Sequence, residues 1–236
     1  MTLAALAILA GATIVAAFVQ GSTGVGFALV LAPVLAFVAP DLLPVCLLAL
    51  MIPLNVYVAW RERAAIDRQG VGWITLGRFV GTFGGLWLLA AFAADRLQML
   101  IGAMTVIAAA ATLLMRAFRP GRRSFVAVGV ATGISETATG IGGPPLALAY
   151  QHRSAPTLRS TLALCFLLGQ MMSLLVLAMA GRVAGAQLLA ATMLMPALLI
   201  GAAASHAIHG RISGRALRTF VLVFALASGA LLLVRA

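Results

Sequence analysis

The chain has 236 residues, 63% of them hydrophobic and 9% charged, with a mean hydropathy of +1.12. Globular domains carry about 45–50% apolar and about 25% charged residues, so a water-soluble domain is excluded. The formal charge of +11 is supplied by arginine alone, and those arginines sit mostly in short connections between apolar runs. That placement points to the cytoplasmic rim of a membrane protein rather than to nucleic acid.

The first apolar segment, "MTLAALAILAGATIVAAF", lacks a basic leader, so no cleaved signal peptide is expected. It continues to about residue 38 through Gln20–Phe37, "QGSTGVGFALVLAPVLAF". As one helix, residues 3–38 would make a rod of about 54 Å, too long for a single crossing of about 30 Å of hydrocarbon. Leu42–Trp60 is a plain span. Val71–Ala93 carries Arg78 about two turns inside, where its stem is predicted to snorkel to the cytoplasmic interface; contact with an anion is the lesser alternative. The row Gly77-x-x-x-Gly81-x-x-x-Gly85 predicts close helix packing, as does Gly201-x-x-x-Ser205 later in the chain. After Leu97–Met115 comes the basic linker Arg116–Ser124, "RAFRPGRRS", which divides the chain into nearly equal halves.

The second half opens on another interrupted segment, Ser135–Tyr150, "SETATGIGGPPLALAY", followed by the spans Leu158–Ala180 and Ala216–Val234. Cys46 and Cys165 lie inside apolar runs and read as buried structural thiols. His152, His206 and His209 fall in basic connections without metal-ligand partners and read as solvated loop residues; no metal or other cofactor is expected.

Ser22-Thr-Gly-Val-Gly26 and Ala138-Thr-Gly-Ile-Gly142 match at an offset of 116, which also places Gln20 on Glu136 and Pro40 on Pro156. Duplication follows, with repeats 1–116 and 124–236 inside one transmembrane domain of residues 1–236. The handedness comes from the arginines. If each interrupted segment, about 3–38 and 125–151, enters and leaves on one side, twelve arginines share a side (61, 63, 68, 116, 119, 122, 123, 153, 159, 211, 215 and 218). Only Arg96, Arg182 and Arg235, three in all, face the other. This arrangement obeys the positive-inside rule far better than eight simple crossings do. The expected architecture is an all-α polytopic membrane protein of two inverted repeats. Each is a broken or re-entrant helical segment followed by three transmembrane helices. Both termini are expected on the periplasmic or extracellular face of the cell inner membrane.

Non-helical backbone at membrane depth is tolerated where it is enclosed by protein or lines a wet cavity. Gly24, Gly26, Gly140, Gly142 and Gly143 permit the unwinding, and Pro144 and Pro145 suit the first turn of a new helix. Bare amides at such a start, with the helix dipole behind them, attract an anion. Glu136 is the one acid deep in an apolar segment. It either carries a proton coupled to transport or caps the broken helix. The side chains of Gln20, Ser22, Thr23, Glu136, Thr137 and Thr139 flank the breaks and are candidate ligands by proximity.

A duplicated, glycine-rich broken segment near the start of each half of a small, arginine-edged membrane protein resembles the TauE/SafE sulfite exporter family. The likeness covers essentially the whole chain. The family motif, roughly G-x-G-G-G followed by Pro, maps onto Gly140, Gly142 and Gly143, with Pro144 in place of the last glycine. The first copy keeps Gly24, Gly26 and Pro33 but has Phe27 and Ala28 where further glycines would stand. The resemblance implies a substrate of sulfite, sulfonates or related sulfur anions. The expected function is a proton-linked secondary exporter of such anions, working in the bilayer without nucleic acid, with homo-oligomers left open. An anion channel, or a permease for another small organic anion, is the alternative. Intramembrane proteolysis is disfavoured because the chain lacks a histidine or paired aspartates within its spans.

Overall fold

In the computed structural model, residues 2–92, 94–114, 120–207 and 214–235 are described. The linker's residues 115–119, and with them Arg116 and Arg119, lie outside that set, as do His209 and Arg211. The described chain is helical, with no strand. Its ten α-helices are α1 (Leu3–Thr23), α2 (Phe27–Val38), α3 (Val45–Arg61), α4 (Arg68–Ala91) and α5 (Ala94–Leu114), then α6 (Arg122–Thr139), α7 (Gly143–Tyr150), α8 (Ala155–Met179), α9 (Gly185–Ala207) and α10 (Gly214–Arg235). Four of them, α1, α4, α8 and α9, are each long and apolar enough to cross a bilayer. Large apolar side chains such as Leu76, Phe79, Phe83 and Trp87 of α4 face outward, as hydrocarbon requires.

Both interrupted segments are broken where the glycines stand, and each doubles back. Gly21 O accepts from Arg61, so the C-terminal ends of α1 and α3 lie together, and α2 returns along α1 between them. Phe125 at the start of α6 stacks on Tyr150 at the end of α7, with ring centroids 5.5 Å apart, which brings the two ends of that hairpin side by side. Asp67 fastens this end: it caps α4 at Gly70 N (3.0 Å) and accepts from Tyr150 Oη (3.0 Å), while its own N–H donates to Thr161 on α8.

Small residues draw the long helices together. A Cβ on Gly77 would run into Val126 and one on Gly85 into Ile134, so α4 and α6 lie backbone to backbone, running the same way. Gly201 meets Ile14 and Ser205 meets Gly21, which sets α9 along α1 in the same sense. By contrast α3 and α8 are antiparallel, for Val45 and Leu48 pack on Leu177 whereas Glu62 meets Arg159. Likewise Gly102 of α5 meets Leu232 of α10, and Thr105 meets Gly229. Close approach through glycine compensates for the absence of a hydrophobic drive between helices in lipid. Two further contacts also pair off: α3 on α9 with α8 on α4, and α2 on α10 with α7 on α5.

Candidate functional site

The two breaks are built alike from local chemistry. Gly24 (φ +85°) and Gly140 (φ +79°) terminate α1 and α6 in the left-handed region, with N–H bonds back to Gln20 O (2.8 Å) and Glu136 O (2.7 Å). The threonine before each glycine does two tasks. Thr23 Oγ1 donates to Val19 O and accepts from Val25 N, and Thr139 Oγ1 donates to Ser135 O and accepts from Ile141 N. Freed backbone groups are thereby re-satisfied without water. Gly24→Ala would put a Cβ 2.9 Å from Arg159 Cα and force a left-handed backbone costing about 1–2 kcal/mol. A lowered melting temperature of the purified variant is expected.

The breaks meet. A Cβ on Gly143 would lie 3.9 Å from Val25 Cγ1. Beneath them a hydrogen-bonded chain runs from one hairpin to the other through the bundle centre. Gln20 Nε2 donates to Asn55 Oδ1 (3.3 Å), Asn55 Nδ2 to Gln170 Oε1 (3.1 Å), and Gln170 Nε2 to Glu136 Oε1 (3.2 Å). All four side chains are buried. Glu136 completes the chain with an ion pair to Arg78 on α4. Five helices thus contribute one polar residue each to a continuous strip within an apolar bundle. Burial of that much polarity is costly unless every member is paired.

Arg78 corrects the sequence expectation. It does not snorkel but is wholly buried, in the space left by Gly169, where a Cβ on α8 would collide with the guanidinium. Its Nε and Nη1 are buried without a hydrogen-bond partner among the described residues, as is Thr132 Oγ1 beside the second break.

The break residues Gly24, Gly26, Glu136, Thr139, Gly140 and Gly142 are enclosed with Gln20, while Gly143 is partly accessible. Gln20 Oε1 accepts from Phe27 N (3.2 Å), so the first amide of α2 is already capped. At the equivalent place Glu136 turns away to Gln170 and Arg78, and Gly143 N at the start of α7 has no side-chain acceptor among the described residues. The two helix starts are therefore unequal. Thr137 bonds Ser173 on α8 (2.7 Å) and Ser22 faces Ser205 on α9 (3.2 Å), so these hydroxyls tie helices together. Cys46 and Cys165 are buried and free. His206 corrects the loop expectation: it lies in the last turn of α9, exposed, with Nδ1 2.9 Å from Tyr57 Oη. Asn55 and Gln170 were not singled out by sequence, although an uncharged amide in the middle of an apolar run is itself a signal.

At the arginine-rich end a cleft of about 500 Å³ is lined by Trp60, Arg61, Glu62, Arg63, Ala64, Ala65 and Pro156. Glu62 holds Arg159 by bonds of 3.1 Å from Nε, and Arg159 packs on Gly24, so the cleft floor adjoins the first break. The family model described as "Sulfite exporter TauE/SafE" matches residues 9–232. The chain belongs to the TauE/SafE family. Comparison with curated proteins and with solved structures gives no match. As a TauE/SafE protein it is a multi-pass membrane transporter of the sulfite-exporter type.

Proposed function

We propose that the protein is a secondary exporter of small sulfur anions, sulfite or organosulfonates, held midway through the bilayer between the two broken hairpins. The observation carrying this reading is the Gln20–Asn55–Gln170–Glu136 chain, which joins the two duplicated breaks. Its palindromic order, Gln20 with Asn55 against Glu136 with Gln170, supports two inverted repeats, 1–116 and 124–236. So do antiparallel α3 and α8, and packing pairs that exchange between the halves. Each hairpin is then re-entrant and three spans follow it. Arg61, Arg63, Arg122, Arg153 and Arg159 gather at the end where α3 finishes and α8 begins, taken as the cytoplasmic side of the inner membrane, with both termini periplasmic.

Substrate contacts are assigned to the breaks at Gly24, Gly26, Gly140, Gly142 and Gly143, with Gln20, Thr23, Thr139 and Glu136 beside them; Ser22 and Thr137 serve through the helix contacts they make. Glu136 is the group for proton linkage, since it is the carboxylate in the strip. Two measurements test this. A thermal-shift screen of sulfite, thiosulfate, sulfonates and carboxylates on the purified protein should single out the sulfur anions, because a specific ligand stabilises by mass action. In proteoliposomes Glu136→Gln is expected to abolish pH-dependent net flux while exchange persists. Undiminished pH dependence would remove Glu136 from coupling. Flux that never accumulates substrate against its gradient under an imposed proton gradient would favour a channel.

A further inference from the structure

We propose that Arg78 is the charged group that receives the transported anion, and that Glu136 occupies it as an internal anion while no passenger is bound. This rests on the transport reading above. Arg78 is a fully buried cation, and a guanidinium has five donors in a fixed fork. Glu136 engages one edge, while Nε and Nη1 have no hydrogen-bond partner among the described residues. For a residue whose task is structural, two orphaned donors in an apolar bundle are a standing cost. An oxyanion with three oxygens would satisfy them.

Position supports the same conclusion. Glu136 lies beneath the second break, where a Cβ on Gly142 would sit 3.1 Å from Glu136 Cδ. Gly143 N, which opens α7, lacks among the described residues the side-chain acceptor that Gln20 gives Phe27 N. An anion seated on Arg78 there would meet a bare amide and the dipole of α7, with Thr132 Oγ1 adjacent. The first break has no such cation on its packed helix α9, because residues 194 and 195, at offsets of 116 and 117 from Arg78, are Leu and Met, and Arg159 beside Gly24 is held at the cleft by Glu62. The site is therefore single and belongs to the second break.

Charge balance gives the linkage. The resting pair is neutral. A monovalent anion that takes Arg78 leaves two negative charges on one guanidinium until Glu136 gains a proton from water, which restores neutrality. The charged group facing Glu136 is Arg78 from α4; from α8 it meets neutral Gln170, with Cys165 a titratable neighbour of Arg78.

Methanesulfonate is a suitable probe because its own charge is constant between pH 5 and 8. Its binding to the purified full-length protein would be measured calorimetrically across that range. Wild-type affinity should rise as the pH falls. E136Q should bind at least about tenfold more tightly than wild type at pH 8, with a flat pH profile, since a charged hydrogen-bonding competitor is gone. R78Q should lose binding. The double variant R78Q/E136Q, whose strip is neutral, should fold yet also fail to bind. Equal binding by wild type and by the double variant would overturn the assignment of Arg78 alone. Weakened binding in E136Q would overturn the placeholder role. Failure of the wild type to bind methanesulfonate or sulfite at any pH would overturn the transport reading, and this assignment with it.

Discussion

Replacing Arg78 by glutamine is expected to cost about 3–5 kcal/mol of stability, the range for stripping one partner from a buried ion pair. The loss comes less from the missing attraction than from Glu136, left as an uncompensated carboxylate among α4, α6 and α8. Adding Glu136→Gln should therefore recover much of the melting temperature while transport stays absent. That pattern separates fold from function: stability follows the neutrality of the strip, and transport follows the guanidinium. Equal melting temperatures for the single and double variants would contradict it.

The second large effect is expected at the α4–α6 seam. A Cβ on Gly81 would lie 3.0 Å from Val130 Cα and closer still to its carbonyl oxygen. Neither group can step aside, being backbone. Gly81→Val must push the helices apart, at about 1–3 kcal/mol for overpacking. Because α4 carries Arg78 and α6 carries Glu136, separation also stretches the ion pair, so transport should fall more than stability does. Gly72→Val is the control, since a Cβ there meets nothing within 4 Å. Transport by the Gly81 variant as fast as by the Gly72 variant would mean that the seam does not set the pair.

The breaks were legible in the sequence because their chemistry is local. A threonine, a glycine and a second glycine two residues on specify a left-handed stop and re-satisfied amides within six residues, and they do so twice. The close packing of α4 was equally readable from its glycine row. The strip was not, because Asn55 and Gln170 are 115 residues apart and become partners only when α3 crosses α8. Arg78 was misjudged for a related reason. Counting from Val71 put it within reach of the rim, whereas α4 starts at Arg68, and the room for its head is made by a glycine on another helix. The offset of 116 sets Gln20 against Glu136. Their divergence, one capping an amide and the other holding a cation, depends on neighbours that only one half possesses.

The most direct test is a structure of the protein with selenite, a sulfite analogue whose selenium can be located by anomalous scattering. The account predicts one selenium site between the hairpin tips, within hydrogen-bonding reach of Arg78 and the start of α7, with the Glu136 carboxylate displaced. Selenium found only in the cleft between Trp60 and Pro156, or an ion pair intact beside the bound anion, would contradict it.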